Sequence, residues 1–239
     1  MATVINLWRQ RLDEVPEEVW ADREAEVLIL ADTGLTRLSP RIGGLRRLRT
    51  LDVGHNALAA VPEELGELVG LADCLYLHDN RLTALPDSLG RLDALRYLNV
   101  GENPLGGLPE TLGGMTALVE LRAQDCGLTA LPASLGRLAR LRELHLRGNA
   151  LTTLPGELAG LRELRVLELR DNALTAVPDA LRALPRLRHL DLRGNRVATL
   201  PGWLSGLPAL EKLDLRWTDV RPGEALLAEL AVRGCFVLI

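Results

Sequence analysis

A pattern of leucines and one asparagine returns along this sequence at a nearly constant spacing of 23 residues. Its clearest copy runs from Leu141 to Leu151 and reads L-x-x-L-x-L-x-x-N-x-L, with the asparagine in the ninth slot, hereafter the ladder position. A fixed period of this length is the signature of stacked repeat units, because each unit buries its apolar side only against its neighbours. The clear ladder positions are Asn56, Asn80, Asn103, Cys126, Asn149, Asn172 and Asn195.

The slots before each asparagine alternate between leucine and a variable residue. Because side chains alternate across a strand, this spacing puts the leucines on one face of a short β-strand and the variable residues on the other. One strand cannot bury its own leucines, so we expect the strands to stack side by side. An asparagine amide has two donors and an acceptor, and it can satisfy backbone groups that the following turn leaves without partners. The sequence therefore predicts a spine of asparagine side chains inside the turns.

The second half of each unit predicts a return segment without a long helix. A proline follows most ladder positions by six residues, as Pro155 follows Asn149. Proline fixes φ and donates no backbone hydrogen bond, so it favours an extended segment over a continuous helix. The apolar spacing that follows, as in residues 134–138, suits a short 3₁₀ turn. One residue is added between Leu68 and Leu75, and we expect a harmless bulge there.

Both ends depart from the regular pattern. We expect residues 1–239 to form a single domain, with an irregular first repeat at 1–24 and a carboxy-terminal cap at 219–239. The leucines between Glu224 and Arg233 predict an amphipathic helix, and Phe236 continues the period as an eleventh strand. Together, this helix and strand would shield the last leucines.

The units resemble the 23-residue intracellular leucine-rich repeats of the Ras-suppressor and Scribble/Erbin type and of the plant Ras-group. Clear copies of that consensus lie at 80–86 and 149–155, and the resemblance covers essentially the whole chain. It implies an α/β fold, a right-handed leucine-rich repeat solenoid shaped like a horseshoe, with a concave parallel β-sheet and a 3₁₀ or irregular convex side. About ten repeats and the cap are expected. In this family the repeats bind proteins on the concave sheet, and where members are enzymes the catalysis sits in a fused domain. The resemblance therefore implies that these repeats are not an enzyme.

Composition indicates which kinds of partner and which cellular compartment to expect. The net charge of −4, from 28 basic and 32 acidic residues, favours neither nucleic acid nor an anionic membrane as partner. No apolar run approaches the roughly 20 residues that span a bilayer, so we expect no membrane insertion. The odd cysteine count, Cys74, Cys126 and Cys235, favours a reduced cytoplasmic protein. Heavy use of Ala, Arg, Gly and Leu, with Lys212 as the only lysine, is typical of a bacterium of high genomic GC.

The variable slots three, five and seven of each unit define the concave face. From the seventh unit onward, slot seven is a column of arginines beside a column of carboxylates. One interpretation is a site for an anion or an acidic peptide. The other is a solvated ladder in which Glu168, Asp191 and Asp214 pair with Arg170, Arg193 and Arg216, respectively, each pair worth at most ~1 kcal/mol. Because the charges nearly cancel, we favour the second interpretation. The arginine column consists of Arg147, Arg170, Arg193 and Arg216.

The irregular middle of the concave face is the predicted partner-binding site. Tyrosine and arginine at the centre of such a surface are typical of binding hot spots, although tyrosine also favours β surfaces in general. We expect Gly54 and Gly101, in neighbouring slots, to leave room for side chains of the partner. The predicted function is a non-catalytic protein-protein interaction module, a cytoplasmic adaptor or scaffold for a protein or peptide. The predicted site consists of Tyr76, His78, Tyr97, Asn99, Arg122, Gln124, His145 and Arg147.

Other chemistry finds little support in the sequence. Cys74, His78 and His55 could suggest zinc, but slots three and seven of one strand lie about 13 Å apart, too far for bonds of about 2.0–2.3 Å to one ion. We therefore predict no metal and no cofactor. Cys126 occupies a ladder position and is expected to be a buried structural thiol. No phosphate-binding loop and no nucleophile with a spaced base is present in the sequence.

The open first strand offers an alternative to partner binding. Ile5 and Leu7 fill the leucine slots of the first unit, where no separate cap precedes them. An unpaired strand edge can pair with a second copy of the chain. We expect a monomer, and weak self-association through this edge is the alternative.

Overall fold

Eleven short strands, hydrogen-bonded in the order of the sequence, form one parallel sheet in the computed structural model, which describes residues 3–239. From β2 onward each strand pairs in register with the next, as Leu144 of β7 pairs with Leu167 of β8, whereas the β1–β2 pairing has one register shift between Thr3 and Val4. The predicted leucine-rich repeat solenoid is thus confirmed. The strands are β1 Thr3–Asn6, β2 Ala25–Ile29, β3 Thr50–Asp52, β4 Cys74–Tyr76, β5 Tyr97–Asn99, β6 Glu120–Arg122, β7 Glu143–His145, β8 Val166–Glu168, β9 His189–Asp191, β10 Lys212–Asp214 and β11 Phe236–Leu238.

The return segments contain 3₁₀ helices, in agreement with the spacing of apolar residues and prolines. From the third unit onward a proline in extended conformation directly precedes the helix, as Pro155 does with φ −64° and ψ 145°. In the second unit the proline is one place late, and Ser39 caps the helix instead. The 3₁₀ helices are Pro40–Gly44, Glu63–Glu67, Asp87–Arg91, Glu110–Gly114, Ala133–Arg137, Gly156–Gly160, Asp179–Ala183 and Gly202–Gly206.

A glycine in several of these turns is explained by close stacking of consecutive units. At Gly136, a Cβ atom would lie 2.1 Å from the carbonyl oxygen of Glu157 in the next unit, closer than any real contact. The glycine therefore lets neighbouring return segments approach each other. This close contact between return segments is compatible with the short strand-to-strand spacing on the other side of the solenoid.

The core is a stack of leucines between the sheet and the return segments. In the clearest unit Leu141, Leu144, Leu146 and Leu151 are all fully buried. Each such side chain stabilises the fold by about 1.5–3 kcal/mol relative to an exposed one. Because each unit contacts chiefly its two neighbours, this stabilisation accumulates along the chain.

Asparagine side chains connect consecutive turns through the predicted spine. The Asn149 amide nitrogen donates to the carbonyl oxygens of Ala123 and Leu146 at 2.8 and 2.9 Å. Its oxygen accepts from the backbone N–H groups of Cys126 and Leu128, both at 3.0 Å. Each amide thus satisfies backbone groups of its own turn and of the preceding one. The same arrangement recurs at Asn56, Asn80, Asn103, Asn172 and Asn195.

Cys126 replaces the amide with a thiol at one ladder position. Its sulfur lies 3.3 Å from the carbonyl oxygens of Val100 and Gln124, and burial raises its pKa to about 11. A thiol offers no amide oxygen to the N–H groups of the preceding turn. In that turn the Leu105 N–H donates to the Asn103 backbone carbonyl at 2.8 Å instead. The turn has therefore adapted to the thiol.

Two helices lie at the ends of the stack. Helix α1, Glu17–Ala21, buries Val19 and Trp20 against the first units. Helix α2, Glu224–Val232, precedes β11 and buries Leu230. The predicted amphipathic pattern of α2 is wrong, since Val232 is 88% exposed. Apolar residues occur on more than one side of this helix, so only part of it packs on the last repeat.

Candidate functional site

Two tyrosines on adjacent strands form the centre of the predicted site. The ring centroids of Tyr76 and Tyr97 lie 5.0 Å apart, and the ring of His78 lies 6.0 Å from Tyr76 in an edge-on arrangement. Tyr76 ends β4 and Tyr97 begins β5, so both rings project from the concave face. Burial raises the pKa of both phenols, and for Tyr76 a hydrogen bond with the Cys74 thiol adds to the rise. The phenols therefore stay neutral near neutral pH and offer rings with polar tips.

Two histidines continue this aromatic group toward the amino terminus. The Nε2 atoms of His55 and His78 lie 3.1 Å apart, so one of them carries the shared proton. The other ring nitrogen of His55 lies 2.7 Å from an Asp79 carboxylate oxygen. Burial lowers the pKa of His78, and the charge of His55 lowers it further. Within residues 3–239, the buried Nδ1 of His78 has no hydrogen-bond partner.

The two glycines of the concave face do not leave room for a partner, contrary to the expectation from sequence. A Cβ atom at Gly54 would lie 2.5 Å from the His78 ring, and one at Gly101 would lie 2.5 Å from the Gln124 carboxamide. The physical reason is that a slot-seven side chain leans over the same slot of the preceding unit. The Gln124 side-chain oxygen is also buried, and nothing in the described part of the chain donates to it.

A compact ionic cluster surrounds His145, which is only 7% exposed. Its Nδ1 lies 2.7 Å from Glu168 Oε2, while its Nε2 faces Glu143 Oε2 at 3.3 Å and Glu120 Oε1 at 3.7 Å. Arg122 donates to Glu120 at 2.6 Å. Although burial opposes protonation, the Glu168 hydrogen bond raises the pKa of His145, and the same bond lowers the pKa of Glu168.

The structure brings the predicted binding residues together over β4 to β7, but not all are accessible. Asn99 is mostly buried, and its side-chain oxygen accepts from the Gly101 N–H at 3.1 Å. His145 is buried in its ionic cluster. Arg147 is exposed and pairs with Asp125 at 2.8 Å. Glu120 and Glu143, which occupy slot three of successive units, were not among the predicted site residues.

A shallow pocket of about 370 Å³ adjoins the tyrosines on the amino-terminal side. Trp8, which is 54% exposed, forms one of its walls and was not among the predicted site residues. Its position in slot seven of the first unit was the available signal. The pocket is lined by Asn6, Trp8, Ile29, Ala31, Asp52, His55, Tyr76 and His78.

Two carboxylates beside the arginine column, those of Asp191 and Asp214, are more buried than a solvated ladder allows. Asp214 is only 2% exposed, and it accepts from Arg216 Nη2 at 2.8 Å. Arg193 lies between two carboxylates, with its Nε 2.9 Å from Asp191 Oδ1 and 3.5 Å from Asp214 Oδ2. Burial opposes ionisation of Asp214, but the hydrogen bonds from Arg216 lower its pKa overall. These ion pairs therefore contribute to the packing of the repeats as well as to the charge of the concave surface.

One predicted ion pair is wrong. Arg170 pairs with the adjacent Asp171 at 2.9 Å and not with Glu168, which is held by His145 on the neighbouring strand. Trp217 lies between Arg170 and Arg216, whose guanidinium carbons lie 5.5 and 5.6 Å from its ring. The arginine column is thus paired throughout with carboxylates or an aromatic ring.

The sequence matches family models described as leucine rich repeat over residues 124–174, 139–197 and 163–220, and over 94–115. The chain is a leucine-rich repeat protein. No curated protein matches its sequence. None of the helices within residues 3–239 is long and apolar enough to cross a membrane.

Several solved structures share the fold of this leucine-rich repeat protein. A leucine-rich repeat protein of Leptospira interrogans is 25% identical, with a TM-score of 0.74 over 95% of this chain and 69% of that chain. The ectodomain of the receptor kinase GASSHO1/SCHENGEN3 from Arabidopsis thaliana, solved in complex with CASPARIAN STRIP INTEGRITY FACTOR 2, is 25% identical. Its TM-score is 0.79, over 99% of this chain and 30% of that one.

The structure of the Drosophila Toll–Spatzle complex gives a TM-score of 0.82 at 25% identity, over 92% of this chain and 30% of that chain. The leucine-rich repeat protein therefore spans less than a third of each of these last two chains. Both of these chains were solved as parts of complexes. This protein shares their fold along almost its whole length.

Proposed function

We propose that this leucine-rich repeat protein is a non-catalytic interaction module that binds a partner protein or peptide on the middle of its concave face. The observation that carries this proposal is the pair of facing tyrosines, Tyr76 and Tyr97, 5.0 Å apart on adjacent strands. Such rings bury a large area and keep a polar tip for hydrogen bonding, which makes tyrosine a frequent anchor in protein interfaces.

Two buried polar atoms beside the tyrosines add to this support. His78 Nδ1 and Gln124 Oε1 have no hydrogen-bond partner among residues 3–239. A buried polar group without a partner costs about 1–3 kcal/mol, and a bound partner that supplies the missing donor or acceptor removes that cost. The complexes of the Arabidopsis and Drosophila receptors with their protein ligands provide a precedent for the fold.

The finer assignment is an adaptor or scaffold of the Ras-suppressor and Scribble/Erbin type in the cytoplasm of a bacterium. Its support is the repeat consensus together with Cys74, Cys126 and Cys235, which form no disulfide in the described structure. A protein of a reducing compartment does not depend on disulfides. Thermal unfolding should therefore be unchanged by strong reducing agent, and a large fall in melting temperature would contradict the assignment.

Capture of a partner from extract of the native host tests the binding surface. Tyr76→Ala combined with Tyr97→Ala should weaken capture at least about 30-fold, because truncating interface anchors commonly costs 2 kcal/mol or more. His189→Ala combined with Lys212→Ala is the matched control, since both residues are exposed on the same face at β9 and β10. The control should bind normally. Normal capture by the tyrosine variant would overturn the proposed site.

The open edge of β1 supports a second candidate function, self-association. Val4 and Trp8 are 56% and 54% exposed, and the sheet of residues 3–239 ends at β1. Exposed strand edges with apolar side chains can pair with another copy. Light scattering should show a dimer that Val4→Lys dissociates if this function holds, and a monomer at all concentrations excludes it.

A further inference from the structure

Three potential metal ligands converge on the concave face at β6 and β7. Glu120, Glu143 and His145 each offer one ligand atom, and these atoms all lie within 4.8 Å of one another. The strand register explains the convergence, because Glu120 pairs directly with Glu143 on the next strand and His145 lies two residues further along. The side chain of His145 is 9% exposed, so its Nε2 atom is fixed in a largely dry position.

The hydrogen bond at the far side of the imidazole fixes which nitrogen is available. Nδ1 lies 2.7 Å from Glu168 Oε2, so Nδ1 carries the proton and donates it to the carboxylate. In the neutral ring, Nε2 then presents a lone pair to two carboxylate oxygens, which are acceptors as well. Metal-ligating histidines typically donate their other ring N–H to a carboxylate in this way. Three acceptors that face one point require a cation or a shared proton between them.

The distances favour a cation. A charge-assisted hydrogen bond between imidazolium and carboxylate measures about 2.7–2.9 Å. The His145 Nε2 atom lies 3.3 Å from Glu143 Oε2 and 3.7 Å from Glu120 Oε1, which is longer. Ligand atoms around a tetrahedral zinc ion with bonds of about 2.0–2.1 Å lie about 3.3–3.4 Å apart. The 3.3 Å distance already matches this spacing, and the remaining pairs of ligand atoms, all within 4.8 Å, would have to close by at most about 1.5 Å.

The charge balance also favours a divalent cation. The three carboxylates of Glu120, Glu143 and Glu168 face one guanidinium, that of Arg122, which donates to Glu120 Oε1 at 2.6 Å. A carboxylate oxygen has two lone pairs, so the same atom can accept from Arg122 and bind a metal. With a neutral imidazole, these three carboxylates and one guanidinium carry a net charge of −2. A divalent cation would neutralise it.

We infer that His145 Nε2, Glu143 and Glu120 form a Zn²⁺ site, with Glu168 as the orienting partner of the histidine and the fourth coordination position open to the concave face. One imidazole and two carboxylates suit zinc and its neighbours in the first transition series better than Mg²⁺ or Ca²⁺. The site differs from the combination of Cys74, His78 and His55 that the sequence analysis rejected. The inference does not rest on the proposed function, and the site lies at the β6–β7 end of the proposed binding surface.

Calorimetric titration of the chelator-treated full chain with ZnCl₂ near neutral pH tests the site. We expect saturable uptake of a single equivalent, not displaced by excess Mg²⁺, and the visible absorption of tetrahedral Co²⁺ when cobalt replaces zinc. Glu143→Gln should weaken Zn²⁺ binding more than about 100-fold, and Glu168→Gln about 10-fold to 100-fold, the usual effect of losing an outer-sphere partner.

Two histidine variants are the matched controls. His189→Gln lies on the same face outside the cluster, and His78→Gln breaks the pair with His55, so both should bind Zn²⁺ like the parent chain. Glu143 is partly exposed, which keeps Glu143→Gln folded even if a change at His145 destabilises the chain. Absence of saturable Zn²⁺ uptake, parental affinity in Glu143→Gln, or loss of binding in His78→Gln would each overturn the site. The first result would mean that a shared proton alone balances the cluster.

Discussion

The concave face has two parts built from the same repeat, a middle over β4 to β7 and a carboxy-terminal part over β8 to β10. They differ in how their polar side chains are paired. In the carboxy-terminal part, Arg193 and Arg216 pair with Asp191 and Asp214 on their own strands. In the middle, the tyrosine rings stand beside two buried polar atoms, His78 Nδ1 and Gln124 Oε1, that have no hydrogen-bond partner among residues 3–239. A surface whose charges pair internally offers little to a partner, and this contrast supports the proposed binding surface around Tyr76 and Tyr97.

The comparison also weakens the interpretation of the arginine column as an anion site. A bound anion would have to displace carboxylates that already lie about 3 Å from the guanidinium groups, and the carboxylate of Asp214 is almost fully buried. Removing a buried partner of an ion pair leaves an uncompensated charge, which is costly. The column is therefore better described as part of the repeat-to-repeat packing.

The largest expected effect is at the boundary of the two regions, in the spine. Asn149→Ala removes the hydrogen bonds from the N–H groups of Cys126 and Leu128 and the hydrogen bond to the carbonyl oxygen of Ala123. Each unsatisfied group costs about 1–3 kcal/mol. Denaturant unfolding should show a loss of several kcal/mol, and amide hydrogen exchange should accelerate first in the two flanking units. Unchanged unfolding and exchange would show that the spine is not needed.

A smaller loss is expected when the carboxy-terminal part loses its bridging cation. Arg193→Ala leaves Asp191 and Asp214 facing each other on adjacent strands, and we expect a loss of about 1–3 kcal/mol in the free energy of unfolding. Arg147→Ala, in the same column but exposed, should change it by no more than about 0.5 kcal/mol. Equal effects of the two substitutions would remove the distinction between a supporting and a surface arginine.

The stability of the fold should depend on pH through His78, in the middle of the concave face. The pKa of His78 is lowered in the folded chain, so folding favours the neutral ring. The contribution of this neutral ring to stability is fully present at pH values above 6.5, the ordinary pKa of histidine. That contribution is lost as pH falls below 6.5 and the unfolded chain takes up the proton first. The groups that act on the ring are His55, Asp52, Glu102 and Asp79. The stability difference between the parent chain and His78→Gln should therefore shrink between neutral and mildly acidic pH, and a constant difference would contradict it.

The smallest effect is expected at the one thiol of the spine. Cys126→Asn restores the repeat consensus, and its amide can donate to the Val100 carbonyl in place of the sulfur. The amide oxygen gains little, because the Leu105 N–H already donates to Asn103. We expect a change within about 0.5 kcal/mol, slightly stabilising. A large gain in stability would show that the adapted turn is strained.

Sequence periodicity was sufficient for the fold because each slot has a single physical role. The leucine slots, the ladder positions and the prolines each specify one element of the unit, and the extra residue after Leu68 leaves Thr50 and Cys74 paired in register. The contacts of long side chains on the concave face follow from rotamers, which a slot number does not determine. For this reason the role of Gly54, the partner of Glu168 and the convergence of Glu120 and Glu143 with His145 required the structure.

Amide hydrogen exchange of the chain with and without its captured partner tests most directly that the middle of the concave face is the binding surface. Exchange should slow in β4 to β7 and in the turns that follow them, while β8 to β10 keep the rates of the free chain. Protection confined to β8–β10, with β4–β7 unchanged, would contradict the assignment and place the binding surface over the arginine column.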